Sequence, residues 1–284
     1  MASDRPPSRS VPAAVSTLSA AVLGGPARPA TVVGVHRFAL YLDVAGRVLP
    51  VLTSDAVPLP TALRLAHPSG SVSWGVVAGD EVLVGGGRVA LPALDVVVAR
   101  SWRPARVRPA SPPPSTHTEV ADVLGVSAGT ETGWLADGIR RVVAGPGCSG
   151  GRPDSHPGAR LADAVAGLVG RGPGLTPSGD DALAGALLVA FALGTGTALA
   201  EAVRGRVGAT TAVSAALLDA AADGYAARDV VTLVDAAVGN DPEAVARALP
   251  AVLAIGHTSG ADLVAGIRAA LVAHTAAPVG RRAA

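Results

Sequence analysis

The sequence has one cysteine, few aromatic residues and few charges, and each scarcity removes an option. Cys148 is alone, so no intrachain disulfide framework is possible and a reducing, cytoplasmic setting is expected. It lies in the loop-like run Gly147-Cys148-Ser149-Gly150, with no neighbouring base or cation to stabilise a thiolate, and is not read as a nucleophile. Aromatics make up 2% of the 284 residues and charged residues 16%, against about 25% charged in an ordinary domain. The mean hydropathy of +0.43 therefore reflects alanine and glycine more than large apolar side chains. Such a chain buries surface through close backbone approach between helices lined with small residues. A formal net charge of +1 with scattered arginines excludes the basic stripe that a nucleic acid would need. His67, His117, His156 and His274 have no companions at metal-ligand spacing, which argues against a zinc site. The longest uncharged stretch, 182–200, is interrupted by Gly185, Gly194 and Gly196, so it reads as a buried helix followed by a loop and not as a membrane span.

What is present falls into two parts. Residues 1–28, rich in Pro, Ser and Ala, are expected to be a mobile or loosely docked tail with one short helix over 14–23. Short β-like runs follow at 31–35, 38–42, 48–52, 71–77, 81–84 and 96–99, separated by turn formers such as Ala45-Gly46, Pro68-Ser69-Gly70 and Gly85-Gly86-Gly87. They predict a small antiparallel, barrel-like domain over 29–102. Residues 103–118 carry too many prolines for a helix and read as a stiff, solvated Pro/Arg-rich linker. From 119 the apolar period becomes helical, with runs at 119–125, 130–144, 159–169, 178–193, 210–222, 229–238, 242–255 and 259–274. The fold class is thus α+β: a barrel-like domain, then a larger all-helical domain of about six to eight helices over 119–275, and a tail at 276–284.

The richest stretch is Gly170-Arg171-Gly172-Pro173-Gly174-Leu175-Thr176-Pro177-Ser178-Gly179-Asp180-Asp181, leading straight into an apolar helix. It is echoed downstream, since Ser178-Gly179-Asp180-Asp181-Ala182-Leu183-Ala184-Gly185 aligns with Ser259-Gly260-Ala261-Asp262-Leu263-Val264-Ala265-Gly266. Each copy reads as a capping box: Ser178 or Ser259 as N-cap, with Asp181 or Asp262 returning a bond three residues on. The glycine after each serine leaves room for something to approach the first turn. Gly185 and Gly266, deeper in the helices, suggest a close helix crossing.

If both helix starts face one cleft, their N–H groups offer a receptor for phosphate or carboxylate. Gly172, Gly174, Thr176, Ser178, Gly179, Thr258, Ser259 and Gly260 would bind a small anionic substrate there; Thr210, Thr211 and Ser214 head another helix, where a cap is the easier explanation and a contribution of Thr211 to the same cleft the alternative. Asp180 is left free by this assignment. A free carboxylate beside an anion requires either a metal such as Mg2+ or an amine or amide donor between them. No other cofactor is implied. His257, two residues before the second serine, suits proton transfer, and His36 in the barrel-like domain is a further binding candidate. The opposing interpretation is that both repeats are only well-capped helix starts.

At these residues the sequence resembles the family catalogued as DUF2877, which includes the AllH-type subunit linked to oxamate carbamoyltransferase. The resemblance is carried by 172–181, by Thr211 and Ser214, by 255–262 and by Gly34-Val35-His36-Arg37-Phe38, and covers roughly residues 28 to 275. It implies a subunit of an enzyme that interconverts oxalurate plus phosphate with oxamate plus carbamoyl phosphate, with Asp180 and His257 as its catalytic residues and partner protein subunits around it. A non-catalytic anion-binding or assembly subunit is the alternative, and neither nucleic acid nor membrane is an expected partner.

Overall fold

Alternation of apolar and small polar residues builds the first part of the chain. The computed structural model describes residues 9–110, 116–127, 133–143 and 157–276. Cys148, His156, the prolines at 112–114, residues 1–8 and the tail after Ala276 lie outside the described residues. The chain divides into two units, Met1–Ala105 and Arg106–Ala284.

In the first unit eight strands close into a barrel: β1 (Arg9–Ser16), β2 (Arg28–Val35), β3 (Ala39–Val44), β4 (Arg47–Leu52), β5 (Leu63–Leu65), β6 (Glu81–Gly85), β7 (Arg88–Ala90) and β8 (Leu94–Trp102). Their order is β1-β5-β4-β3-β2-β6-β7-β8. Most neighbours are antiparallel, but β1 runs parallel to β8 and β4 parallel to β5. The core holds Val11, Leu40, Leu42, Val51, Leu63, Val84 and Val96 among others. Ala45 and Gly46 both have positive φ, as a two-residue hairpin between β3 and β4 requires, and the Gly46 N–H donates to Asp43 Oδ1 at 2.7 Å.

Two expectations fail here. The supposed tail is, over Arg9–Ser16, the strand that seals the barrel, because Val11, Ala13 and Val15 alternate inward between β5 and β8. Pro12 has no N–H to donate, yet its carbonyl still accepts from the Ala66 N–H at 3.2 Å. A short helix, α1 (Ala20–Gly24), follows. The second failure is the strand expected over 71–77. Trp74 and Val76 do alternate inward into the core, but 72–77 pairs with no strand, and the Trp74 indole N–H donates instead to His36 O at 2.9 Å.

The second unit is helical: α2 (Thr118–Ser127), α3 (Gly133–Val143), α4 (Pro157–Ala166), α5 (Ser178–Ala192), α6 (Thr197–Arg204), α7 (Ala212–Ala222), α8 (Arg228–Val238), α9 (Pro242–Leu253) and α10 (Ser259–Ala276). Among the described residues this is one helix more than the expected upper number. The addition is α6, hidden in a Gly/Thr-rich run read as loop: Gly194 at φ +70° ends α5, and Leu199, Ala200 and Val203 then turn inward. The expected linker is not free spacer over 106–110. Arg106 stacks on Phe191 and Tyr225, Arg108 pairs with Asp235 at 3.0 Å, and the Ala110 N–H donates to Ala192 O at 2.8 Å. Asp241 caps α9 by accepting from the Ala244 N–H at 2.9 Å, with Pro242 in the first turn. No helix among the described residues is long and apolar enough to cross a membrane.

The centre of this unit is α5 against α10. Leu183, Ala186, Leu187 and Val189 are buried on α5; Val264, Ile267 and Leu271 are buried on α10. The two helices touch backbone to backbone. A Cβ on Gly185 would stand 2.2 Å from Leu263 O, and one on Gly266 would stand 1.9 Å from Ala182 O. Neither neighbour is a movable side chain, so a methyl group at either position must force the helices apart. Gly266→Ala is therefore expected to lower stability by at least about 2 kcal/mol in urea unfolding, despite the better helix propensity of alanine.

Candidate functional site

The position of the α5 start decides which aspartate does what. The Pro177 carbonyl accepts from the Asp180 N–H at 2.9 Å and the Asp181 N–H at 3.1 Å, so Pro177 and not Ser178 holds the cap position. Pro177 has no side-chain donor or acceptor, and the serine hydroxyl is released from capping. Moving the helix start by one residue turns each side chain's role by about 100° around the axis. Asp180 now points back over the preceding loop, where Oδ1 accepts from the Gly170 N–H at 2.9 Å and Oδ2 accepts from the Thr210 hydroxyl. It is 2% exposed and both its oxygens are occupied. Asp180 is therefore not the free carboxylate expected: it ties the glycine loop to the start of α7.

Asp181 faces α10 instead. The Ser259 and Thr176 hydroxyls lie beside its carboxyl group and favour its charged form, and the two hydroxyls are 3.0 Å apart. The same arrangement recurs from the other side, where Ser178 and Thr258 favour the charged form of Asp262. Each serine thus serves the aspartate of the opposite helix, and the capping roles expected for Asp181 and Asp262 within their own helices are not the ones found. Residue pairs 178/259, 181/262, 182/263 and 185/266 all exchange places across the crossing. The helix pair is an internal repeat with approximate two-fold symmetry.

The glycines after the serines have a packing reason. A Cβ on Gly179 would lie 2.1 Å from Leu168 O, and one on Gly260 would lie 2.1 Å from Val252 O. What approaches each first turn is the end of the preceding helical segment. The Gly179 N–H donates to Arg171 O at 2.9 Å and the Gly260 N–H to Ile255 O at 3.0 Å, so neither is left for an anion.

The electrostatics of the shared mouth are acidic. Burial pushes Asp181 up to about 7 from its ordinary 3.8; the charges of Asp262 and Asp180 push the same way, and the Ser259 and Thr176 hydroxyls oppose them. Asp262 is also raised, mainly by burial, against the pull of Ser178 and Thr258. Oδ2 of Asp181 and Oδ2 of Asp262 are both buried without a hydrogen-bond partner, and among the described residues no ion pair involves either aspartate. Two carboxyl groups with unused acceptors repel phosphate and attract N–H donors. No cluster of three or more metal-ligating side chains occurs among the described residues.

The remaining candidates divide by position. His257 and Thr258 are exposed in the turn before α10, at the rim of the mouth, as are Gly172 and Gly174 on the other side. Gly172 has φ +126°, and a Cβ there would meet the Ser178 backbone nitrogen at 2.7 Å. Thr211 is a capping residue: it accepts from the Ser214 N–H at 3.1 Å and donates to Leu175 O at 2.5 Å. Capping is the easier of the two roles that the sequence offers for it, and it is the one found. His36 belongs to the barrel unit, in the turn between β2 and β3, with its ring edge-on to Tyr41 at 6.0 Å. Sequence reasoning singled out the stretches that hold Gly170 and Thr210 but not their pairing with Asp180. The only signal for them was that a buried carboxylate must find donors somewhere.

The protein is a mostly antiparallel barrel followed by a helical unit built around a repeated, crossed helix pair whose N-terminal mouths meet. Residues 168–271 match the family model described as oxamate carbamoyltransferase subunit AllH. The match includes both Ser-Gly motifs, Thr210 and Thr211, and excludes the barrel. The likeness is therefore narrower than the span from 28 to 275 suggested by the sequence, and the run around His36 falls outside it. No solved structure matches the chain.

The two aspartates should separate in experiment. An acid whose folded pKa lies above its unfolded value stabilises most at low pH, and that contribution is lost as the pH rises through the folded value. For Asp181 the window runs from about pH 4 to about pH 7. Asp181→Asn should flatten the decline in melting temperature across that window and, at pH 8, be more stable than wild type, by at most about 4 kcal/mol. Asp180→Ala, which strands the Gly170 N–H and the Thr210 hydroxyl, should instead cost about 1–3 kcal/mol in urea unfolding at neutral pH.

Proposed function

We propose that the helical unit is a carbamoyltransferase-type subunit acting on a small carboxylate/amide substrate such as oxamate, with carbamoyl phosphate as donor. The observation that carries this reading is that the matched residues 168–271 contain both serine–aspartate motifs, and that Thr176 and Ser259 bring the two together at 3.0 Å. The expected orientation is reversed in one respect. The amide end of the substrate, not an anionic end, faces the mouth, because the mouth holds two carboxyl groups.

In this reading the amide nitrogen attacks the carbamoyl carbon. The new N–C bond forms as the C–O bond to phosphate breaks, phosphate leaves with the bonding pair, and the nitrogen's proton passes to Asp262, which acts as the base. Ser178 and Thr258 hold Asp262 in place, and Ser259 and Thr176 do the same for Asp181. In this reading the exposed His257 and Thr258 would face the leaving side of the substrate. The matched family is described as a subunit, which favours partner proteins that supply the phosphate-binding surface this mouth lacks.

Phosphate release from carbamoyl phosphate in the presence of oxamate, by the full chain alone and with candidate partner subunits, tests the reading. Asp262→Asn should lower kcat by about 100-fold or more while the protein stays folded. Release at the wild-type rate would sink a catalytic role for the pair. Oxamate binding without turnover in any combination would instead favour a non-catalytic binding or assembly subunit.

A further inference from the structure

Beyond their contact at Gly185 and Gly266, α5 and α10 leave a space that the small side chains of this chain do not fill. A cavity of about 280 Å³ opens there, between the C-terminal halves of the two helices. Ala186, Val189 and Ala190 line it from α5, and Ala270, Ala273 and His274 line it from α10. Val142 of α3, Leu161 of α4 and Leu199 of α6 close its sides. Ala186, Val189, Leu199 and Ala270 are buried, whereas Thr195 and Ala198 at its edge are exposed, so the cavity has a floor and a way in. It starts about 12 Å along the α5 axis from Ser178 and is separate from the mouth. Unfilled apolar volume weakens a domain, and an occupant restores the lost contacts.

We infer that this cavity binds a small uncharged aliphatic molecule with one hydroxyl, which His274 recognises. Among the described residues that line it there is no carboxylate, lysine or arginine, so a charged ligand would be desolvated without a counter-ion. The C-terminal ends of α5 and α10 lie beside the same space, and their carbonyl groups further disfavour a carboxylate. The polar side chains of the lining are Thr195 and His274. The Thr195 hydroxyl turns back toward the Ala190 carbonyl, at 3.5 Å. His274 rests edge-on against His117, with ring centres 5.7 Å apart, and stands where the first copy of the internal repeat has Leu193. Both residues line the cavity, so histidine in place of leucine adds a hydrogen-bonding group to a largely aliphatic wall. An apolar cavity of about 150 Å³ holds a benzene-sized molecule, and this one therefore suits a ligand of about six to ten non-hydrogen atoms.

Calorimetry of the full chain with hexan-1-ol, hexanoate and hexylammonium, which share a six-carbon chain and differ in charge, tests the inference. Hexan-1-ol should bind saturably at a single site, and the two charged analogues at least about tenfold more weakly. Ala270→Leu, which fills the floor of the cavity, should lower hexan-1-ol affinity by at least about tenfold while the urea midpoint of the protein stays the same or rises. His274→Leu, which gives the second copy the residue of the first, should lower it by about fivefold. Absence of saturable hexan-1-ol binding, equal affinity for a charged analogue, binding that survives Ala270→Leu, or unchanged affinity in His274→Leu each overturns the inference. Should Ala270→Leu not fold, Ala190→Met, on the half-buried wall, takes its place under the same expectation. The outcome is independent of the reaction proposed for the mouth, since none of these ligands or variants touches Ser178, Asp181, Ser259 or Asp262.

Discussion

The backbone contact between α5 and α10 at Gly185 and Gly266 governs the helical unit. Two helices that meet without side chains between them can approach closely only at one place and one angle, and that placement fixes where their N-terminal ends fall. Because the glycines occupy equivalent positions in two similar sequences, the ends converge symmetrically, and Ser178, Asp181, Ser259 and Asp262 come together in exchanged pairs. A chain with few large apolar residues gains its tight packing from this kind of contact. Among the described residues its largest fully buried side chains are leucines and Ile139.

The chemistry of the mouth follows from what that convergence leaves unpaired. Helix starts usually favour negative charge, and one carboxylate at such a position is well placed. Here two starts meet, and the half-buried second aspartate lies close enough for its charge to push the first toward its neutral form. The helix dipoles and four hydroxyls partly offset the desolvation of the pair, but each carboxyl keeps one oxygen without a partner. The neighbouring Asp180 shows the contrast. It is equally buried, both its oxygens are satisfied, and its role is to hold a loop.

The barrel obeys a different rule, since a closed sheet leaves no edge. Its closure depends on β1, which is contributed by the very start of the described chain and runs parallel to β8 across its full length. Short strands joined by tight turns are readable locally, as the Ala45-Gly46 hairpin illustrates. A parallel partner more than 80 residues away is not.

The sequence by itself determined the order of a barrel-like part and a helical part, the internal repeat of Ser-Gly and Asp, and the close approach at Gly185 and Gly266. These follow from periodicity, turn residues and the rarity of glycine inside helices, all of them local properties. It did not determine that Arg9–Ser16 is a strand, that 72–77 stays unpaired, or that α6 exists, because each rests on which distant surface is available to pack against. Nor did it determine the division of labour between Asp180 and Asp181. Both assignments suit a helix start, and only the tertiary structure, by placing Pro177 at the cap and the opposite serine within reach, turns one carboxyl toward a loop and the other toward its counterpart on α10.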